Sequence, residues 1–193
     1  MESSTTIRIT TALAVVILTG CTAMAPQYQP DFELVNTLKD VNLQNMQTGK
    51  FVSADPSIDK VTIRGSSLVS PYNNSYSEYL KNALSEELKQ SALWDTNANI
   101  VISGELLENE MDASGFSIGE ADLSARFLVS RDGTEVYNKV HTIHHEWASS
   151  FVGAVAIPNA INNYPIAVQK LIGALLLDID LLNVTRVADT GSQ

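Results

Sequence analysis

Cysteine is nearly absent from this chain: Cys21 is the only one in 193 residues, so no disulfide can form within a monomer. The fold must therefore depend on side-chain packing rather than on covalent cross-links. Basic residues are also scarce, since 12 lysines and arginines stand against 22 aspartates and glutamates, giving a net charge of −10. This balance argues against nucleic-acid binding, which needs a basic surface, and against broad adhesion to anionic lipid.

Long apolar runs are missing as well. Residues 9–18 and 171–177 are apolar, but both are too short for a bilayer core, which needs roughly 20 residues. The first follows a short polar segment whose only basic residue is Arg8, which is typical of a secretory signal. The second is enclosed by Lys170 and Asp178, which indicates a buried helix.

The first apolar run ends in Leu18-Thr19-Gly20-Cys21. These residues resemble the bacterial lipobox, in which the cysteine thiol receives diacylglycerol, the signal is removed before it, and the new amine is acylated. The resemblance implies a signal peptide at 1–20 and lipidation at Cys21, with Thr22 rather than aspartate directing the protein to the outer membrane. Each buried methylene contributes about 0.8 kcal/mol, so three acyl chains would hold firmly. The alternatives are an ordinary signal with a chance cysteine, or a buried structural thiol.

The mature chain is long enough for one domain with a substantial core. Residues 21–30 contain Pro26 and Pro30, which disfavour regular structure, and predict a lipidated tether. Residues 31–187 predict a single periplasmic domain, and 188–193 a flexible tail. The start of that domain, 31–56, fits either a helix or strands and stays open.

Alternation of apolar residues, helix capping and turn residues predict the order of elements. The predicted elements are a strand at 60–64, a loop at 66–74, a helix from the capping box Ser75-x-x-Glu78 to about 92, strands at 99–107, 116–130 and 135–147, and a helix beginning near Pro165. This order predicts an α+β fold: one antiparallel-rich sheet, strand-helix-three-stranded meander-helix, with two helices packed on one face.

The last two strands are separated by Asp132-Gly133, a strong signal for a two-residue hairpin turn. A regular register through this turn would place Arg126 opposite Lys139. Because like charges facing each other are unfavourable, that face is expected to be solvated, unless a bulge shifts the register.

The three histidines, His141, His144 and His145, lie close together beside Glu146. On a strand, His141 and His145 point to one face while His144 and Glu146 point to the other. We therefore predict no metal site and no cofactor. The chain has no Gly-x-Ser-x-Gly motif, and we predict no catalytic residues and no enzymatic activity.

The segment 151–157 is apolar although it connects a predicted strand to a predicted helix. Connections usually lie on the surface and are polar. The segment is therefore expected either to pack under the closing helix, which is the favoured interpretation, or to form an interaction surface. That surface would consist of Phe151, Val152, Val155 and Ile157.

The lipobox at 18–21, the order of elements and the closing helix together resemble YajG-like lipoproteins and the PqiC-like auxiliary lipoproteins of lipid-trafficking ABC transporters. The resemblance covers roughly residues 18–182, and Leu18-Thr-Gly-Cys21 is its one specific motif. It implies a non-enzymatic interaction or accessory protein, anchored in the outer membrane by its acyl chains, with a protein partner in the cell envelope. The alternatives are an auxiliary subunit of an ABC- or MCE-type lipid-transport system and, more distantly, a periplasmic hydrolase.

Overall fold

The computed structural model describes residues 22–187, so the predicted signal peptide, Cys21 and the predicted tail at 188–193 lie outside the described residues. The described part is an α+β fold, as predicted. Its elements are β1 (Thr22–Met24), α1 (Phe32–Lys39), β2 (Met46–Ser53), β3 (Val61–Ile63), β4 (Ser66–Val69), α2 (Tyr76–Gln90), β5 (Ile100–Asp112), β6 (Ile118–Arg131), β7 (Thr134–Ala148), α3 (Gly153–Leu176) and α4 (Ile179–Thr185).

The larger sheet has the strand order β2-β5-β6-β7. Strands β5, β6 and β7 form the predicted antiparallel meander, while β2 pairs with β5 in parallel. Helices α2 and α3 contact each other and pack on this sheet. The prediction of one sheet with two helices is therefore too simple, because the described residues also contain a second sheet and two further helices.

The β6–β7 turn confirms the predicted hairpin. Asp132 and Gly133 both have positive φ, 50° and 79°, which a two-residue turn of this type requires. A bulge between Val129 and Ser130 then shifts the register by one residue. Arg126 consequently pairs with Val140 rather than with Lys139, so the two like charges do not face each other.

The smaller sheet has the order β1-β4-β3. Strand β3 confirms the prediction at 60–64, but β4 lies in the predicted loop, because four residues are too few to show clear alternation. The turn between them consists of Arg64 and Gly65, with φ of 49° and 80°. Strand β1 runs parallel to β4, where the sequence predicted a tether.

The described part of that predicted tether is packed against the domain. Thr22 pairs with Ser67, and the Ala25 amide donates to the Val69 carbonyl at 2.9 Å. The Tyr28 side chain is 4% exposed. Parallel pairing with a strand that lies far along the chain has no local sequence signal, and the prolines only limit the strand to three residues.

The ambiguous segment 31–56 contains both of the structures that it suggested. Asp31 caps α1 by accepting from the Glu33 and Leu34 amides, and Val35 and Leu38 bury the inner face of this helix. Strand β2 follows. Helix α2 begins as predicted, with the Ser75 hydroxyl accepting from the Glu78 amide at 3.3 Å.

Helix α3 begins twelve residues before the predicted start near Pro165, since Gly153 is its first residue. Pro158 and Pro165 both lie inside it. Proline lacks an N–H and normally ends or kinks a helix. Here the cost is offset because the helix packs closely on the sheet, with Ala156 and Ala160 fully buried.

A cluster of tyrosines joins α2 to α3 in the core. The Tyr164 ring lies 5.0 Å from that of Tyr76 and 5.3 Å from that of Tyr79, both edge to face. The Tyr164 hydroxyl donates to Asn109 on β5 at 3.1 Å. Tyr164 thus connects both helices with the sheet.

Glu87 on α2 is a carboxylate buried without exposure. One of its oxygens accepts from the Tyr28 hydroxyl at 2.6 Å and from the Asp31 amide at 2.7 Å. This pair of hydrogen bonds joins the N-terminal segment to the helix.

No helix among residues 22–187 is both long and apolar enough to cross a membrane.

Candidate functional site

The predicted lipidation site, Cys21, lies outside the described residues. The predicted interaction surface is fully described. Phe151, Val152 and Val155 are 65%, 57% and 47% exposed, whereas Ile157 is half-buried and packs against the core. The favoured interpretation, in which this segment packs under the closing helix, is therefore wrong for three of the four residues.

The segment 151–157 is largely exposed because α3 starts earlier than the sequence predicted. Because the segment belongs to the helix from Gly153 onward, only one of its faces can contact the sheet. Ala156 occupies that face and is fully buried. The larger side chains of Val152 and Val155 are left on the solvent side.

A second loop, between β5 and β6, adds an aromatic ring that sequence reasoning missed. The Phe116 ring stacks on Phe151 with centroids 5.1 Å apart and planes 11° apart, and Phe116 is 78% exposed. Ile118 beside it is also exposed. We call the five exposed residues Phe116, Ile118, Phe151, Val152 and Val155 the apolar tip.

Arg64 holds the two loops of the apolar tip together. Its guanidinium reaches from the β3–β4 turn to backbone carbonyls in both loops. Hydrogen bonds that involve a charged group contribute about 1.5–3 kcal/mol each, so these loops are firmly positioned. The acceptors are Ala113 at 2.5 Å, Phe151 at 2.7 Å, Ser150 at 3.0 Å and Gly115 at 3.2 Å.

The apolar tip thus has a defined geometry, because its two loops are held together by Arg64 and by the stacked phenylalanine rings. Scattered single apolar residues on a surface are ordinary, but exposed rings from two loops that stack on each other, as Phe116 and Phe151 do, indicate a contact with a partner or lipid. Sequence could identify the segment 151–157 by its unusual apolarity. It gave no signal for Arg64, whose acceptors lie 49 to 87 residues away along the chain.

The histidines of β7 point as predicted. The His141 ring stacks on that of Tyr137 on the inner face of β7, and the Tyr137 hydroxyl lies 2.6 Å from His141 Nε2. His145 on the same face lies between Asn163 and Lys170 of α3. Burial lowers the pKa of both imidazoles, which keeps them neutral near pH 7.

His144 lies on the opposite, exposed face among carboxylates. Its Nδ1 is 2.7 Å from Asp122, and its Nε2 is 3.2 Å from Glu146 and 3.8 Å from Glu120. The sequence argument that no face gathers three candidate ligands is therefore wrong. Glu120 and Asp122 come from β6, whose pairing with β7 brings them beside His144 and Glu146.

We nevertheless expect no stoichiometric metal at this cluster. Hydrogen bonds to Asp122 and then Glu146 raise the pKa of His144, so a metal ion would have to displace a more tightly held proton to bind there. Elemental analysis of protein purified without chelator should find less than one equivalent of zinc, copper or nickel. A full equivalent that is lost on His144→Ala and kept on His141→Ala would contradict this expectation.

No family model and no curated protein matches the chain. Among solved structures, the chain shares the fold of a DUF330-family protein from Xanthomonas campestris. The TM-score is 0.57 at 14% identity, over 84% of this chain and 96% of that one. At this identity the similarity concerns the fold alone.

A second solved structure is the minor lipoprotein from Acinetobacter baumannii, with a TM-score of 0.41 at 13% identity, over 72% of this chain and 97% of that one. A similarity at this level carries no argument. The similarity to the Xanthomonas campestris protein therefore concerns the fold and not the function.

Proposed function

We propose that the chain is a bacterial lipoprotein, anchored in the outer membrane through Cys21 and facing the periplasm. We further propose that its domain acts as a non-enzymatic interaction or accessory protein of the cell envelope. The apolar tip carries this proposal, because it is an exposed apolar surface of defined geometry. The motif Leu18-Thr19-Gly20-Cys21 supports the anchor.

The outer membrane is proposed on the residue after the cysteine, Thr22, which is not the aspartate that would favour retention in the inner membrane. A protein partner in the envelope is part of the proposal. The resemblance to PqiC-like lipoproteins favours a narrower second candidate, an auxiliary subunit of a lipid-transport system. Crosslinking in intact membranes that recovers the subunits of an ABC or MCE transporter would select this narrower role.

The anchor is tested by Cys21→Ser in the full-length precursor. Without the thiol no diacylglycerol can be attached, so the variant should lose its N-terminal lipid mass and its stable attachment to washed membranes. Fractionation and intact-mass spectrometry measure the two effects.

Thr19→Ser is the matched control, because it keeps a small residue in the motif and leaves the cysteine in place. It should behave as the unmodified protein. A native chain without lipid mass on Cys21, together with a Cys21→Ser variant that fractionates unchanged, would reject the anchor.

A further inference from the structure

The chain enters the domain at the same end as the apolar tip. Strand β1 runs parallel to β4, with Thr22 beside Ser67. The N-terminal end of β1 therefore lies close to the β3–β4 turn, which contains Arg64. The Arg64 guanidinium in turn donates to the carbonyls of Phe151 and Gly115, within the two loops that carry the stacked phenylalanines.

The predicted anchor, Cys21, directly precedes the first paired residue of the domain. Thr22 is already paired in the smaller sheet, and neighbouring Cα atoms of a chain are only about 3.8 Å apart. Lipid attached at Cys21 would therefore hold this end of the domain against the bilayer surface. A free tether of ten residues, in contrast, would have allowed any orientation.

The far end of α3 provides a position that is remote from the apolar tip. Helix α3 begins at the apolar tip and runs for 24 residues, which corresponds to about 36 Å. Ile179, the first residue of α4, follows the distant end of α3 and is 63% exposed. It therefore serves as a reference position on the far side of the domain.

The chemistry of the apolar tip suits neutral lipid. It presents two aromatic rings and three aliphatic side chains, and the neighbouring cation, Arg64, donates to four backbone carbonyls. The net charge of −10 would oppose approach to an anionic surface. Apolar side chains of this kind insert at the boundary between headgroups and acyl chains.

We propose that the apolar tip is a second membrane contact, which inserts Phe116, Phe151 and their aliphatic neighbours into the bilayer that holds the acyl chains. The inference rests on the proposed anchor at Cys21 and deepens it by naming the envelope component that the tip binds, a zwitterionic phospholipid surface. The anchor then provides attachment, and the tip sets the orientation of the domain.

The test uses the full lipidated protein with one fluorescent thiol label. Phe116→Cys places the label at the apolar tip, and Ile179→Cys places it at the distant end. Both residues are exposed, so the fold should tolerate either change. The proteins are reconstituted in phosphatidylethanolamine vesicles, with and without lipids brominated on the acyl chains, which quench only a label that reaches the bilayer.

We expect brominated lipid to quench the label at position 116 by at least twofold and to leave the label at position 179 unchanged. Equal, weak quenching at both positions would overturn the inference. So would a label at position 116 that is shielded from a soluble quencher in native membranes but not quenched by brominated lipid, since a protein would then cover the tip.

The label stoichiometry separates this inference from the proposed anchor. In a lipidated chain the Cys21 thiol is consumed, so each variant should take up one label. Two labels per chain would reject the anchor. One label per chain without quenching at position 116 would leave the anchor intact and reject the membrane contact of the tip.

Discussion

Tyr164→Ala is expected to lower the free energy of unfolding by about 3–5 kcal/mol, as removal of a large buried aromatic side chain does. Tyr164 is 1% exposed and contacts the rings of Tyr76 and Tyr79. The substitution would leave a cavity between α2, α3 and β5. Urea denaturation measures the loss, and the melting temperature should fall by roughly 2–4 °C for each kcal/mol.

Two variants make this result specific. Tyr164→Phe keeps the ring and removes only the hydroxyl that donates to Asn109, so it should cost about 1–2 kcal/mol. Phe32→Ala removes an aromatic ring that is 83% exposed and should change the stability by less than about 0.5 kcal/mol. If Tyr164→Ala lowered the free energy of unfolding no more than Phe32→Ala does, this result would contradict the packing described for the tyrosine cluster.

Glu87→Ala is expected to destabilise the fold by about 2–4 kcal/mol, because it leaves two donors without an acceptor. These donors are the Tyr28 hydroxyl and the Asp31 amide. The loss should be concentrated at the N-terminal segment, where hydrogen exchange of residues 22–31 would become faster. Equal stability of the variant would show that this buried carboxylate does not hold the segment in place.

Glu87→Gln provides the contrast, since it keeps the accepting oxygen and removes the charge. Burial raises the pKa of Glu87 above its ordinary value of 4.5, so the folded state holds the proton more tightly than the unfolded state. This contribution to stability is complete below pH 4.5 and is lost as the pH rises through the raised pKa. The Gln variant should therefore gain stability relative to the original protein as the pH rises above 4.5; a difference that does not change with pH would contradict the raised pKa.

Local signals predicted the elements that depend on local structure. Asp132-Gly133 specified a hairpin because both residues tolerate positive φ, and Ser75 marked the start of α2 because its hydroxyl satisfies a free amide of the first turn. The bulge beside Val129 was foreseen only as an alternative, since the unfavourable pairing of Arg126 with Lys139 showed that the simple register was strained.

Pairing between distant segments was not predictable in this way. Nothing in residues 22–24 identifies β4 as the partner of β1, and the apolar tip depends on Arg64 meeting two loops that follow much later in the chain. The segment 151–157 was recognised as unusual, but its exposure depended on where α3 begins. The sequence did not predict that start because proline normally ends or kinks a helix. In α3 the energetic cost of Pro158 is offset by tertiary packing.

The segment that precedes β2 is joined to the C-terminal end of the described chain by a short contact. Leu43 forms a bridge with Arg186, and the Gln44 amide donates to the Thr185 carbonyl at 2.8 Å. Such contacts between distant residues raise the contact order, which slows folding. The segment around residue 43 cannot complete these contacts until α4 is also in place, so a chain exported as proposed would stay incompletely folded, and open to periplasmic chaperones, until α4 has crossed the inner membrane.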